Sequence, residues 1–315
     1  MGAELRVYRR RIKSVESTKK ITKAMELIAA SRIVKAQARM NAAKPYAKEL
    51  SGALARLGGD PTLAHPMFTG VDNPRRAGIL LITSDRGLAG GYNANAIRTA
   101  NELADRLGRN GMEIDRFVIG RKGVAFYRFR HVQLVDSWTG FSEQPNFQDA
   151  RGATDTVVAA LSATSDGEAE DGRPGIDELW VVYTRFVNSV SQTPTAVRVS
   201  PVRGATDESE AEGEEAEEEG SESQAQYEFE PEPAGLVAAL LPRYISSRIF
   251  SALLESAASE SAARRRAMKS ASDNATDLIR TYTRLANQAR QAEITQEISE
   301  IVGGADALAA AGSEE

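Results

Sequence analysis

The sequence predicts an α/β fold, with a long antiparallel coiled coil of the N- and C-terminal helices plus a central Rossmann-like α/β domain. Both ends of the chain place apolar residues at helical spacing over long stretches that contain few Gly or Pro residues. The middle of the chain alternates short apolar runs with helix-patterned segments, which is typical of a mostly parallel sheet covered by helices. Helices as long as those at the two ends do not fit inside an ordinary globular domain, so we expect them to pair with each other.

The N-terminal coiled-coil helix is expected over residues 1–58. Its apolar residues recur three and four positions apart, first on one face and then on a shifted face. These residues are Leu5, Tyr8, Ile12, Val15, Ile21, Met25 and Ile28. Pro45 predicts a kink in this helix, and the Gly58-Gly59 pair predicts its end.

The C-terminal coiled-coil helix is expected over residues 234–310, after two prolines at 231 and 233. Near its end the apolar surface moves around the helix, which indicates that the helix is enclosed on several sides there. The apolar tip comprises Ile294, Ile298, Ile301, Val302 and Leu308. We therefore expect the part beyond Arg290 to lie inside something larger than its coiled-coil partner. The Gly303-Gly304 pair either caps the helix or thins it inside a tight sleeve.

The central α/β domain is expected over residues 75–202, with a polar loop insertion at 165–175. Its predicted strands are 77–83, 115–119, 132–138, 177–186 and 194–202, and its predicted helices are 93–107, 122–129 and 147–161. The last strand is expected to run antiparallel to the strand before it. A low-complexity stretch at 203–226 predicts an acidic disordered insertion, and residues 227–231 predict a short edge strand.

Charge is distributed unevenly along the chain. Residues 207–222 carry ten acids and no base, although the net charge of the whole chain is only −5. Residues 2–48 hold thirteen Lys or Arg residues and three Glu residues. A basic helix of this kind suits nucleic acid, an anionic membrane or an acidic protein partner, although it is also compatible with a plain solvated face. The basic collar comprises Arg9, Arg10, Lys19, Lys20, Lys23, Arg32 and Lys35.

The sequence lacks the usual signs of an active site. The chain has no Cys, and its two histidines, His65 and His131, have no neighbours at metal-ligand spacing. A Gly-rich loop follows the first predicted strand, but it matches neither the mononucleotide nor the dinucleotide phosphate-binding motif. Its residues of interest are Asp85, Arg86, Gly87, Gly90 and Gly91. We predict a tight or partner-contacting turn there, with no catalytic residue, no cofactor and no metal.

Two functions stay open on these residues alone. A basic coiled-coil nucleic-acid-binding or scaffold protein needs aromatic or Arg readout positions, yet Tyr8 is the only aromatic residue before Tyr46. An α/β nucleotide enzyme with helical extensions needs a phosphate-binding loop, which the motif comparison does not support. No apolar run approaches the ~18 residues of a membrane span, so we expect no direct membrane span.

Three blocks of the sequence resemble the gamma subunit of F-type ATP synthases. The first is Ile12–Met40, especially ITKAMELIAAS at 21–31, and the second is Ile82–Asn93. The third runs from Glu260 to Ile298 and contains AMKSA at 267–271, RQA at 290–292 and ITQEI at 294–298. Their order, spacing and end positions agree with the family, so the resemblance covers nearly the whole chain.

The resemblance implies a central-stalk rotor subunit of a proton-translocating ATP synthase. The implied partners are three catalytic and three non-catalytic nucleotide-binding subunits, an epsilon subunit and a membrane rotor ring. Each orientation of such a rotor favours a different conformation of each surrounding subunit, so the chain would couple rotation to ATP synthesis, and regulate hydrolysis, without bond chemistry of its own. It would lie at the cytoplasmic face of the plasma membrane as a peripheral protein that binds no nucleic acid.

The resemblance also assigns roles to individual positions. Arg290 and Gln291 match positions that hydrogen-bond a loop of a catalytic subunit. The positions linked to coupling and catalytic-subunit contact are Met25, Arg264, Arg290, Gln291, Thr295 and Glu297. The basic collar is expected to face acidic loops of the catalytic subunits, with Arg86 joining that contact, and the apolar tip is expected to lie in an apolar sleeve.

The sequence departs from the family pattern in its insertions. The stretches 165–175 and 203–226 have the character of insertions, the tail continues past Leu308, and the Cys-containing insertions of chloroplast members are absent. The two insertions suggest a version from a high-GC Gram-positive bacterium, that is, an actinobacterial one.

Overall fold

A computed structural model of the chain describes residues 2–58, 70–167, 172–202 and 233–311. The acidic insertion predicted at 203–226 and the edge strand predicted at 227–231 lie outside the described residues, as does part of the loop insertion at 165–175. By its internal contacts the chain divides into two compact units. One unit combines Met1–Ile28 with Arg265–Glu315, and the other is Ala29–Arg264.

The larger unit contains a five-stranded sheet with the strand order β3-β2-β1-β4-β5. The first four strands in that order run parallel, and β5 is antiparallel to β4. The strands are β1 Arg76–Ile82, β2 Glu113–Ile119, β3 Asp136–Trp138, β4 Glu178–Phe186 and β5 Gln192–Ser200. The helices are α1 Gly2–Gly58, α2 Tyr92–Arg109, α3 Arg121–Phe129, α4 Phe147–Ala163 and α5 Pro233–Ala311. The α/β class predicted from alternating apolar runs is confirmed.

Each face of the sheet buries its own hydrophobic core. On one face, α2 and α3 cover alternate residues of β1, including Ile79 and Leu81. On the other face, α4 and the early part of α5 pack with the last turns of α1 around Leu80 and Phe117. Because β1 is covered on both faces, it is apolar along nearly its whole length. Helix α4 begins at a capping box, in which Asn146 and Asp149 each accept the other's backbone N–H.

One predicted strand is much shorter in the structure, and the long helices continue through their predicted kink and cap positions. The strand expected at 132–138 contains only Asp136–Trp138, because the chain leaves α3 through a left-handed residue at His131 and reaches the sheet late. Val132 and Leu134 pack against the core although they are not in the strand. Helix α1 continues through Pro45, and α5 continues through Gly303 and Gly304, so these glycines do not cap it.

The smaller unit pairs the start of α1 with the later part of α5 in antiparallel fashion. Tyr8 and Tyr282 lie with ring centroids 6.5 Å apart, and further along the pair the hydroxyls of Thr22 and Ser272 share a buried hydrogen bond of 2.7 Å. On the shifted apolar face of this segment, Ile21 and Ile28 are exposed and Met25 is half-buried. The buried Thr22 continues the partly buried face of Tyr8, Ile12 and Val15.

One described helix is long and apolar enough, by length and composition, to cross a membrane. It is α5, and part of the apolar stretch is buried inside the protein. Val237, Ile245 and Ile249 of this helix are fully buried against the sheet. Burial in a core explains the apolar composition without a bilayer, and a single helix of this kind is weak evidence for a membrane span.

Replacing Gly120 with alanine is expected to destabilise the sheet unit strongly. Gly120 links β2 to α3 with φ +99°, and a Cβ there would lie 2.2 Å from the carbonyl oxygen of Thr83. Backbone strain and overpacking together should cost about 3 kcal/mol or more. Urea unfolding measures the loss.

Gly140 provides the matched control for this substitution. Its φ is +109°, but no atom lies within 4 Å of the position that a Cβ would take. Alanine at 140 should therefore cost only the conformational strain, roughly 1–2 kcal/mol. Equal losses for Gly120→Ala and Gly140→Ala would show that close contact with Thr83 does not matter.

Candidate functional site

The Gly-rich loop between β1 and α2 is held by its own polar side chains. The Asp85 carboxylate accepts backbone N–H groups from Arg121, Gly140 and Ser142 at 3.1, 2.8 and 3.0 Å. The Asp85 N–H in turn donates to the Ser142 hydroxyl at 2.8 Å. The Asp85 carboxylate thus ties the loop to the first amide of α3 and to the segment after β3. The arrangement is that of a fixed structural turn.

The turn itself needs left-handed backbone at two positions. Leu88 has φ +62° and Gly90 has φ +56°. The Leu88 side chain is exposed, whereas its neighbour Ala89 is buried in a small cluster with Tyr92 and Ala263 of α5. The loop therefore packs on α5 through Ala89 and turns Leu88 outward.

A network of buried charges connects α5 to this loop. Arg264 is 5% exposed, and its guanidinium donates to Glu260 Oε1 at 2.6 Å. Its nitrogens also lie 3.4 Å from the carbonyl oxygens of Arg86 and Gly87. The same group pairs with Glu143 Oε1 at 3.2 Å. Arg264 was predicted to contact a catalytic subunit, and whether it does stays untested, but in this structure its charge is engaged within the chain.

Glu260 is the most deeply buried carboxylate of this network. It is 1% exposed, and burial raises its pKa, while the neighbouring Arg264 guanidinium and the Ser142 hydroxyl oppose that rise. A buried carboxylate depends on such a cation for its charge to be tolerated. Arg264 and Glu260 therefore form a pair in which each requires the other.

Sequence reasoning missed Glu143, which joins three of the predicted basic residues. Its carboxylate lies 2.5 Å from Arg32 and 3.4 Å from Arg86, in addition to its contact with Arg264. Glu143 lies between β3 and α4, far in sequence from all three arginines. Glu143 follows Ser142, which bonds the Gly-rich loop, but this contact forms only in the folded chain. No local sequence pattern therefore indicates Glu143.

The basic collar belongs to both compact units. Five of its members lie in the smaller unit, namely Arg9, Arg10, Lys19, Lys20 and Lys23. Of these, Lys19 is half-buried and the others are exposed, and Lys23 pairs with Glu26 at 3.0 Å. In the larger unit Lys35 is exposed, while Arg32 is half-buried against Glu143.

The apolar tip of α5 is exposed in the isolated chain. Ile294, Ile298, Ile301 and Val302 are between 48% and 72% exposed. Leu308 lies within α5, but its side chain is outside the described part. Four exposed apolar side chains within nine residues at one helix end form a surface that a monomer rarely leaves uncovered.

The remaining predicted positions lie on the smaller unit. Met25 is half-buried, and Arg290, Gln291, Thr295 and Glu297 are exposed on α5. The Thr295 hydroxyl donates to the Gln291 carbonyl at 2.9 Å. Arg290 and Gln291 thus have exposed side chains next to the first residues of the apolar tip. Among the described residues no group of His, Cys, Asp or Glu has the arrangement of a metal site.

Comparison with known proteins gives concordant matches over the whole length of the chain. A family model described as ATP synthase matches residues 4–308. The ATP synthase gamma chain of Acidothermus cellulolyticus is 55% identical over all of both chains. That of Saccharopolyspora erythraea is 52% identical over 99% of this chain and all of the relative.

Solved structures resemble the fold of the chain. A chain of the Euglena gracilis mitochondrial ATP synthase, from an assembly of OSCP, F1 and c-ring, superposes with a TM-score of 0.63 at 18% identity. The match covers 98% of this chain and 95% of that chain. A second chain, from the rotor of the same organism's enzyme, has a TM-score of 0.60 at 16% identity over 93% of this chain and all of that one.

Proposed function

We propose, because the chain belongs to the ATP synthase gamma chain family, that it is the central-stalk rotor subunit of a proton-translocating F-type ATP synthase. It couples ion-driven rotation of a membrane ring to conformational cycling of the catalytic subunits for ATP synthesis, and it regulates hydrolysis. The observation that carries this proposal is the family match over residues 4–308, supported by relatives of matching length. Neither the nucleic-acid binder nor the nucleotide enzyme accounts for a match of that extent.

The chain's contribution is mechanical, and bond chemistry belongs to its partners. An asymmetric rotor changes the relative energies of the conformations of each surrounding subunit as it turns. Support comes from the Gly-rich loop, whose Asp85 carboxylate is bonded to backbone amides of two other segments, at Arg121 and Gly140, as in a structural turn. We therefore assign no catalytic residue and no cofactor to this chain.

The partners follow from the same proposal. They are three catalytic and three non-catalytic nucleotide-binding subunits of the head, an epsilon subunit and the membrane rotor ring. The chain lies peripherally at the cytoplasmic face of the plasma membrane, without a span of its own and without nucleic acid. The exposed apolar tip supports a tight partner around the end of α5, because burying those side chains is favourable and apolar contacts are non-directional.

Polar contacts just before the apolar tip complete the proposed interface. Arg290 and Gln291 are exposed, and they would hydrogen-bond a loop of one catalytic subunit at a time. Charge-assisted hydrogen bonds are roughly twice as strong as neutral ones, so we infer that these contacts hold a rotational position and are broken and remade at each step. The exposed members of the basic collar would meet acidic loops of the catalytic subunits through attraction that salt screens.

Replacing Met25 with lysine is expected to uncouple the assembled enzyme. Met25 is half-buried in the paired helices, and its flexible side chain fills irregular gaps. A lysine there adds a charge to a contact that has to tolerate motion. We expect most ATP hydrolysis to remain while ATP-driven proton pumping is largely lost, measured on membrane vesicles of the same preparation.

Ser14→Lys provides the control, since Ser14 is exposed on the same helix and the substitution adds the same charge. It should leave the ratio of pumping to hydrolysis near the wild-type value. Equal reduction of pumping and hydrolysis in Met25→Lys would argue against a coupling role for this position.

A further inference from the structure

One carboxylate in the larger unit meets guanidinium groups from three separate segments. Glu143 pairs with Arg32 of α1, with Arg86 of the Gly-rich loop and with Arg264 of α5, at 2.5, 3.4 and 3.2 Å. Its side chain is largely buried, so its pairs with Arg32 and Arg264 are shielded from solvent more than ordinary surface pairs are.

The residue before Glu143 is bonded to the same loop. Ser142 and Asp85 exchange hydrogen bonds in both directions, at 2.8 and 3.0 Å. The segment 140–143 therefore holds the Gly-rich loop in two ways. Its backbone amides and the Ser142 hydroxyl bond Asp85, and the Glu143 carboxylate pairs with Arg86. Because α1 and α5 bind the same carboxylate, the loop is tied to both long helices through one side chain.

We infer that Glu143 is a positioning residue that fixes the Gly-rich loop, and Arg86 on it, relative to α1 and α5. The inference rests on the proposed rotor function and adds a residue that the family resemblance did not point to. Arg86 remains 70% exposed while it contacts Glu143. The Arg86 guanidinium is thus oriented by Glu143 and is still accessible to an acidic partner. A contact that transmits force needs both a fixed orientation and an accessible charge.

Glu143 fixes the loop through the negative charge of its carboxylate. Glu143→Gln keeps the size and the hydrogen-bonding capacity of the side chain, but it leaves three arginines with Glu260 as the only carboxylate in the network. Glu143→Asp keeps the charge on a shorter side chain. Glu102→Gln is the matched control, because it removes the same charge from a pair with Arg98 in which both side chains are about two-thirds exposed.

Hydrogen exchange on the full-length chain tests the positioning step directly. The reporters are the amides of Asp85, Gly140 and Ser142, which are bonded within the loop contact. In Glu143→Gln these amides should exchange faster by on the order of tenfold, while the amides of β1 keep their rates. The exchange rates of these amides in Glu143→Asp should lie between those of wild type and Glu143→Gln. Unchanged exchange at all three amides in Glu143→Gln would overturn the inference.

The assembled enzyme tests whether positioning acts through Arg86. Glu143→Gln should lower the ratio of proton pumping to hydrolysis at least twofold relative to Glu102→Gln, and Arg86→Gln should lower it similarly. The double variant should lose no more than either single variant, because both act on one contact. The inference would be overturned if the losses of the two single variants add up in the double variant. It would also be overturned if the ratio of pumping to hydrolysis in Glu143→Gln equals that in Glu102→Gln, even if the complex assembles normally. A wild-type chain that fails to join the complex would instead refute the proposed function, and the exchange result would then stand only as a property of the loop.

Discussion

Replacing Arg264 with methionine is expected to lower the free energy of unfolding by about 3–5 kcal/mol, the usual loss when one partner of a buried ion pair is removed. Arg264 and Glu260 are both almost completely buried, and their charged atoms lie 2.6 Å apart. Methionine occupies similar space but leaves the Glu260 carboxylate without its cation. Urea unfolding followed by circular dichroism measures the change.

The double variant Arg264→Met with Glu260→Gln is the matched test of this mechanism. Removing both charges removes the unpaired buried charge, so the double variant should recover a large part of the lost stability. If the double variant is as unstable as Arg264→Met, the loss arises from packing or from the carbonyl contacts to Arg86 and Gly87, and the ion-pair account is wrong.

The Arg264→Met variant should also show a particular pH dependence. The pKa of Glu260 is already raised by burial above its ordinary value of 4.5, and Arg264 opposes that rise. Without Arg264 the pKa rises further, so the folded state takes up a proton that the unfolded state releases. A carboxyl group whose pKa is raised by folding stabilises the folded state at pH values below its unfolded-state pKa. This stabilisation is lost as the pH rises through the folded-state pKa. The variant's deficit should therefore be larger at pH 8 than at pH 5.

Substituting serine for Ile294, Ile298 and Ile301 together is expected to weaken assembly of the complex by roughly 100-fold. These side chains are 48%, 56% and 72% exposed in the chain alone, and burying such surface stabilises a contact by about 1 kcal/mol for each side chain. The isolated chain should unfold at nearly the same urea concentration as wild type. Titration of the purified chain into head subunits that lack it measures the affinity.

Val187→Ser with Val190→Ser is the control for the tip variant, because both valines are exposed on the sheet unit. These substitutions remove apolar surface at a place where no enclosing sleeve is proposed. Similar losses of affinity from the two sets would mean that the apolar tip has no special role in assembly.

The elements of the sheet unit could be predicted because each carries a local signal. The run at β1 is apolar throughout since both faces of that strand are buried, and α2 presents its buried residues at helical spacing. The strand expected at 132–138 was predicted too long because Val132 and Leu134 are apolar for packing reasons without being paired in the sheet. The spacing of apolar residues indicates which side chains are buried. Burial alone does not distinguish a strand from an extended loop.

The coiled-coil seam shows a second limit of sequence patterns. Ile21 and Ile28 belong to the shifted apolar face of the pattern, yet the buried residues next to them in sequence are Thr22 and Ala29. Both isoleucines are more than half exposed in this chain, so a rule that places large apolar residues inside fails for them. Such a rule assumes that the isolated chain is the folded unit.

The charged network was the least predictable part of the site. Arg32, Arg86 and Arg264 were singled out as contacts for other subunits, yet all three meet Glu143 of the same chain. Their common partner is brought to them by the sheet topology, which places the segment after β3 beside the Gly-rich loop. Pairing between residues so distant in sequence leaves no local pattern.

The central claim is that this chain is the single rotor subunit of an ATP synthase, and the native mass of the complex it forms tests that claim most directly. The chain would be tagged in its host, and the membranes would be solubilised gently before the co-purifying assembly is weighed. We predict one copy of this chain with three copies each of two larger nucleotide-binding subunits, together with smaller subunits. Recovery of the chain alone, or with nucleic acid, would contradict the rotor account.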